Sequence, residues 1–144
     1  MNQKEFNKDK FKTVKTTVAV IITKGDKILL TKRSPNMKRE PNKWCIPGGH
    51  MEIGETPEKA VKRETKEEIK LDIKNLKFLF YYNEYLPKLK IHAVSLIFKA
   101  ITYDKPKKSD EVSESKWFTK EEIKKLKMAF TNKRILTKFF NIKK

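Results

Sequence analysis

At 144 residues the chain is long enough for one compact domain and too short for two ordinary ones. One cysteine, Cys45, excludes an intramolecular disulfide and fits a reducing cytoplasm, and no apolar run approaches the roughly 20 residues of a membrane span. The formal charge of +17 invites a polyanionic partner, but it is nearly all lysine, spread over every segment without interleaved aromatic residues. A solvated lysine surface accounts for it more simply than a dedicated nucleic-acid patch, and its potential would still draw in a phosphorylated substrate.

In chain order, residues 1–12 read as a basic tail without the apolar segment of a signal peptide, and residues 13–144 as one domain. The β-branched run from Lys15 to Thr23 predicts a buried strand, Lys24-Gly25-Asp26 a turn, and Lys27 to Lys32 the returning strand of a hairpin. Pro35 and Pro41 mark a loop. Trp44 to Ile46 is a short strand leading into Pro47-Gly48-Gly49. Thr56-Pro57 opens a helix to about Ile69, threonine as N-cap and proline in the first turn. Strands are expected at Leu71 to Tyr82 and Ile91 to Thr102, joined by a connection at Asn83 to Lys90. A polar loop from Tyr103 to Ser115 precedes a short strand, Lys116 to Phe118. Thr119 and Glu122 suit a capping box for a helix to about Lys127, and Thr131 to Phe140 is a last helix. This order implies an α/β (α+β) layered domain around a mixed sheet.

The chemistry is concentrated between Gly48 and Leu71. On the helix, Glu64, Glu67 and Glu68 project from neighbouring positions, and clustered carboxylates of this kind suit a hard divalent cation. Val61, Thr65 and Ile69 lie about a quarter-turn away, so one face can pack on a sheet while the next presents acid to a cleft. Gly48-Gly49 and Gly54 place permissive backbone beside the helix N-terminus, which favours anions.

These residues resemble the Nudix hydrolase family. Its signature places Gly, Glu, Arg-Glu, Glu-Glu and Gly at fixed offsets, matched here by Gly49, Glu55, Arg63-Glu64 and Glu67-Glu68. Two positions depart from it: Thr65 stands where an apolar residue is usual, and Lys70 where a glycine ends the helix. The layout is similar from about Thr17 to Phe118.

The resemblance implies a Nudix-type α/β/α sandwich that hydrolyses a phosphoanhydride with Mg²⁺ or Mn²⁺. It implies Glu64, Glu67, Glu68 and the Gly48 carbonyl as metal ligands, Glu64 or Glu67 as a candidate base, and Arg63 as the group that orients the carboxylates through Glu55 or Glu64. A later loop offers Glu111 or Glu114 as another base. Arg33, Gly49, Tyr81 and Glu114 are expected at the substrate, with Arg33 meeting a phosphate and Tyr81, Tyr82 or Tyr85 stacking on a base. Trp44 and Trp117 read as core residues, and His50 and His92 as non-ligands. Pro87, sixteen residues beyond Leu71, matches a spacing associated with ADP-ribose pyrophosphatases. The expected partner is a small nucleotide: ADP-ribose, a nucleoside triphosphate or a dinucleoside polyphosphate. An RNA 5′-end pyrophosphohydrolase is the alternative, and a non-catalytic nucleotide-binding module the third reading. Monomer and homodimer are both open.

Overall fold

The computed structural model describes residues 13–142; the expected tail at residues 1–12 lies outside them. Its axis is β1 (Lys15–Lys24), whose run of small and β-branched residues is buried from Val18 to Ile22. β1 turns at Gly25, in the left-handed region at φ 61°, into β2 (Lys27–Arg33). β3 (Trp44–Cys45) pairs with β2, and β4 (Gly48–His50) pairs antiparallel with the first half of β1. After helix α1 (Pro57–Ile69) come β5 (Ile73–Leu86), a short 3-10 turn at Pro87–Leu89, and β6 (Ile91–Thr102). β7 (Val112–Thr119), the single-turn helix α2 (Lys120–Ile123) and helix α3 (Asn132–Ile142) complete the described chain.

The seven-stranded sheet is mixed, in the order β3-β2-β1-β6-β5, with β4 attached to β1 and β7 to β2. β1 and β6 run parallel from Lys15↔Ala93 to Ile22↔Ala100, and the other pairs are antiparallel. Strand alternation splits the core. Val18, Val20 and Ile22 face Ala60, Val61 and Ile69 of α1, while Ala19 and Ile21 face Ile135, Leu136 and Phe139 of α3. The result is the expected α/β/α sandwich. Each fully buried aliphatic side chain contributes roughly 1.5–3 kcal/mol, and α1 is anchored by Val61 and Ile69, both wholly buried. No helix among the described residues is long and apolar enough to cross a membrane.

Several boundaries differ from the sequence reading. Gly48-Gly49 is strand rather than loop, because β1 supplies a backbone partner for it. β5 continues through Asn83 to Leu86, paired residue by residue with β6, so the connection there shrinks to one turn around Pro87. β7 starts at Val112 because its polar residues pair with β2, a tertiary interaction that local polarity hides. α2 spans four residues, although its capping box forms as expected between Thr119 and Glu122.

α1 begins and ends on identifiable groups. The Thr56 hydroxyl accepts the Lys59 N–H at 3.2 Å, with Pro57 in the first turn. Thr65 is buried and donates its hydroxyl to the Val61 carbonyl, so this polar substitution in the packing face is satisfied internally. Lys70 adopts the left-handed conformation at φ 60°, and the N–H groups of Lys70 and Leu71 close the helix on the carbonyls of Lys66 and Thr65.

Candidate active site

Both glycines of β4 are crowded, Gly48 by the backbone of β1 and Gly49 by the Glu64 side chain of α1. A Cβ on Gly48 would lie 2.1 Å from the Val18 carbonyl oxygen, and one on Gly49 would lie 2.4 Å from the Glu64 carboxylate. This intimacy lets α1 lay its acids against β4: the Gly48 N–H donates to Glu68 Oε1 at 3.1 Å. The approach to the pair is fixed from the opposite layer. The buried Asn132 accepts the Ile46 N–H at 2.9 Å and donates to the Ala129 carbonyl, and the Val20 N–H donates to the Pro47 carbonyl.

Arg63 organises the carboxylates. Its Nε and Nη2 grip Glu55 at 2.7 and 2.9 Å, a bidentate fork. Nη2 also donates to the His50 carbonyl at 2.9 Å, and Nη1 reaches Glu64 at 2.9 Å and Glu67 at 3.2 Å. Glu52 lies 3.7 Å from the same guanidinium, and the Glu52 N–H donates to Glu55. One arginine thereby joins the loop after β4, the entry to the helix and two turns of its acidic face. The Glu55 hydrogen bonds, and those from Glu64, raise the Arg63 pKa above its ordinary value, so the guanidinium stays charged.

The acids are not equivalent. Glu55 is held below the usual carboxylate range, chiefly by the Arg63 hydrogen bond and then by the Glu52 N–H. Glu64 is raised by burial, against the pull of Arg63. Glu68 is raised furthest, to about 8, first by burial and then by the charge of Glu64, with the Gly48 N–H offsetting part of this. Glu67 is the outermost of the three, its side chain 60% exposed. Among the described residues no three His, Cys, Asp or Glu side chains converge directly on one point; Glu64 and Glu67 turn to Arg63, and Glu68 to Gly48. The donor set is nevertheless all hard oxygen, and a buried carboxylate raised to about 8 is one whose negative charge lacks a full counter-charge.

The remaining sequence-derived residues divide into two groups. Arg33, at the end of β2, lies close enough to act electrostatically on Glu68. Glu111 acts on both Glu64 and Glu68, and its carbonyl accepts the Ser34 N–H at 2.8 Å. Glu114 does not join them. It sits in register with Lys32, whose ammonium lies over the Trp44 ring in the α3-side core, and it pairs with Lys116 at 3.0 Å. A β-bulge separates the Lys32↔Glu114 pair from Arg33↔Val112, and it puts the Glu114 side chain on the face of the sheet opposite α1. Tyr81 is 63% exposed on edge strand β5, in register with Leu96 on the α1 side. Trp44 is buried and Trp117 partly so. His50 contributes its carbonyl to Arg63, and His92 pairs with Asn83 at 2.9 Å. Sequence reasoning missed the Cys45 thiol beside the acids, which burial pushes up to about 11.

The family model for the NUDIX domain matches residues 13–139. The chain belongs to the NUDIX family. It is 36% identical over 126 residues to an ADP-ribose pyrophosphatase of Methanocaldococcus jannaschii, covering 85% of this chain and 71% of that one. It is 30% identical over 105 residues to the NAD-capped RNA hydrolase NudC of Pseudomonas aeruginosa, covering 72% of this chain and only 35% of that longer protein. Among solved structures, the NUDIX domain of Shewanella oneidensis NrtR in complex with ADP-ribose superposes over the full length of both chains with TM-score 0.78 at 19% identity, a likeness of fold. With its box carboxylates and arginine intact, this NUDIX member is a Nudix pyrophosphohydrolase.

Proposed function

We propose that the chain, with residues 13–144 as its catalytic unit, is a Mg²⁺- or Mn²⁺-dependent pyrophosphohydrolase that cleaves ADP-ribose or a closely related nucleoside diphosphate derivative. The observation that carries the metal-dependent part is the buried, under-compensated Glu68 next to Glu64 against the bare Gly48-Gly49 backbone. The 36% identity to an ADP-ribose pyrophosphatase supports the substrate class. Glu64, Glu67, Glu68 and the Gly48 carbonyl would hold the cation. When bound, the ion neutralises diphosphate charge and makes water more acidic.

The chain's own residues supply the rest. Arg63 fixes Glu55, Glu64 and Glu67 relative to the His50 carbonyl, setting the acidic face before substrate arrives. Gly49 leaves open backbone where a side chain would displace Glu64. Arg33 offers positive charge to the phosphate beside Glu68. Glu111, on the loop before β7, is better placed than Glu114 to take the proton of an attacking water. The water oxygen forms the new bond to phosphorus, the bridging P–O bond breaks, and ADP-ribose would give AMP and ribose 5-phosphate.

The test is hydrolysis of a panel with Mg²⁺ or Mn²⁺ and again with EDTA: ADP-ribose, diadenosine polyphosphates, canonical and oxidised nucleoside triphosphates, and capped RNA. Metal-dependent AMP release from ADP-ribose supports the proposal; activity confined to another substrate overturns its specificity. Salt-sensitive RNA affinity that survives EDTA, together with cleavage of capped RNA, would move the reading to RNA ends. No cleavage of any substrate would overturn the catalytic assignment.

A further inference from the structure

We propose that Phe130 is a positioning residue of this site: its ring holds the Arg33 guanidinium as the cation that meets a substrate phosphate beside Glu68. The inference rests on the hydrolase reading above and names a residue that the Nudix signature does not contain.

The geometry begins with the stack. The guanidinium carbon of Arg33 lies 4.8 Å from the centroid of the Phe130 ring, within the range of a cation–π contact. Arg33 Nε donates to the Arg39 carbonyl at 3.1 Å, and the guanidinium also hydrogen-bonds toward the Cys45 thiol, so two fixed partners help hold it in place. Arg33 also bears electrostatically on the Glu68 carboxylate and the Cys45 thiol, so this stacked cation stands next to the deepest acid of the site. A guanidinium held by a ring contact and a backbone carbonyl is prepared to bind phosphate without first losing side-chain freedom.

The backbone at Phe130 points the same way. Its φ of 50° lies in the left-handed region, which a bulky residue adopts only when its surroundings impose it. Both flanks are pinned. On one side the Trp44 N–H donates to the Lys127 carbonyl and the Ala129 N–H to the Trp44 carbonyl, at 2.9 and 2.8 Å. On the other, the Thr131 N–H and hydroxyl both donate to Glu84 Oε2, while Asn132 donates to the Ala129 carbonyl. Among the described residues, neither apolar core cluster includes Phe130. The imposed conformation therefore delivers one ring beneath one arginine, not a side chain to the core.

The probe is inorganic pyrophosphate, titrated with Mg²⁺ into ¹⁵N-arginine-labelled full-length protein and followed at the Arg33 Nε–H signal, which Arg33→Lys assigns. Phe130→Leu keeps an apolar side chain but removes the π face, and Phe130→Trp restores it. Phe130→Leu should weaken pyrophosphate binding about 5-fold, which corresponds to about 1 kcal/mol, and Phe130→Trp should stay within about 2-fold. In turnover, Phe130→Leu should raise KM by about the same factor with kcat within about 2-fold, and should add almost nothing in an Arg33→Lys background. Unchanged binding in Phe130→Leu, effects that multiply with Arg33→Lys, or no rescue by tryptophan would each overturn the proposal. A wild-type protein that cleaves no nucleotide, yet whose Arg33 signal responds to pyrophosphate in a Phe130-dependent way, would defeat the hydrolase reading alone.

Discussion

Adjacent glycines with opposite reasons for being glycine offer the sharpest test of this site. In Gly48→Ala the new Cβ would stand 2.1 Å from the Val18 oxygen and 2.8 Å from the Ala19 Cα, both backbone atoms of the central strand. Neither can rotate away, so β4 must part from β1; at the upper end of overpacking costs this is about 3 kcal/mol. For a domain of this size it lowers Tm by about 9 °C. In Gly49→Ala the clashing atoms, at 2.4 to 2.7 Å, are all in the Glu64 carboxyl group, the far end of a flexible side chain. Glu64 can swing outward, losing its 2.9 Å contact with Arg63, a partly exposed pair that contributes at most about 1 kcal/mol.

The cost of Gly49→Ala should instead fall on catalysis. With a proposed metal ligand displaced, kcat/KM for ADP-ribose should drop about 100-fold, or about 2.7 kcal/mol of transition-state stabilisation. Scanning calorimetry and Mg²⁺-dependent hydrolysis on the same preparations separate the two effects. Equal melting of the two variants, or full activity in Gly49→Ala, would refute the claim that Gly48 serves the fold and Gly49 the site.

Three further outcomes follow from the same geometry. Because Glu68 is raised from 4.5 to about 8, the folded state retains a proton that the unfolded chain releases; its stabilising contribution is full below about pH 4.5 and lost as pH rises through about 8. The Tm of metal-free protein should therefore fall between pH 5 and about 8.5 more steeply in wild type than in Glu68→Gln, which should also lose turnover; parallel pH profiles would contradict this. Lys70→Gly relieves a left-handed lysine at the end of α1 and should raise Tm by about 3 °C, worth about 1 kcal/mol, without changing hydrolysis; a lower Tm would show that the exposed Lys70 contact to the Glu67 carbonyl matters more. Glu111→Gln should reduce kcat by about 100-fold and Glu114→Gln by less than about 2-fold, and the reverse order in steady-state assays would overturn the choice of base.

The layers of the fold were legible because their signals are local and periodic. β1 announces itself by a β-branched run, and α1 by Thr56-Pro57 and by the apolar positions Val61 and Ile69 with Thr65 between them. What escaped was structure made by a distant partner. Nothing in Gly-Gly-His favours a strand; β4 exists because the edge of β1 is there to receive it. Asn83 to Lys90 reads as a connection because it contains Pro87, yet β6 holds Asn83 to Leu86 in register. Lys70 shows the converse: its cost as a non-glycine helix end was visible in the sequence, and the left-handed conformation is adopted all the same.

For the candidate site, helix spacing brings Glu64, Glu67 and Glu68 near one another but does not say where each points. Arg63 and Gly48 decide that, drawing two carboxylates one way and the third inward. Glu111 and Glu114 illustrate the same limit. Three residues apart in a stretch read as loop, they were interchangeable candidates. Val112 packs on the α1 side, and a β-bulge between the Arg33↔Val112 and Lys32↔Glu114 pairs breaks the alternation, so Glu114 lies on the α3 side with Lys116 as its neighbour. Glu111 escapes that alternation because it precedes the strand, tethered through its carbonyl to Ser34 beside Arg33. Which of these two acids faces Glu64 and Glu68 thus depends on where β7 begins and bulges, features set by pairing with β2 and so invisible to any reading of this segment alone.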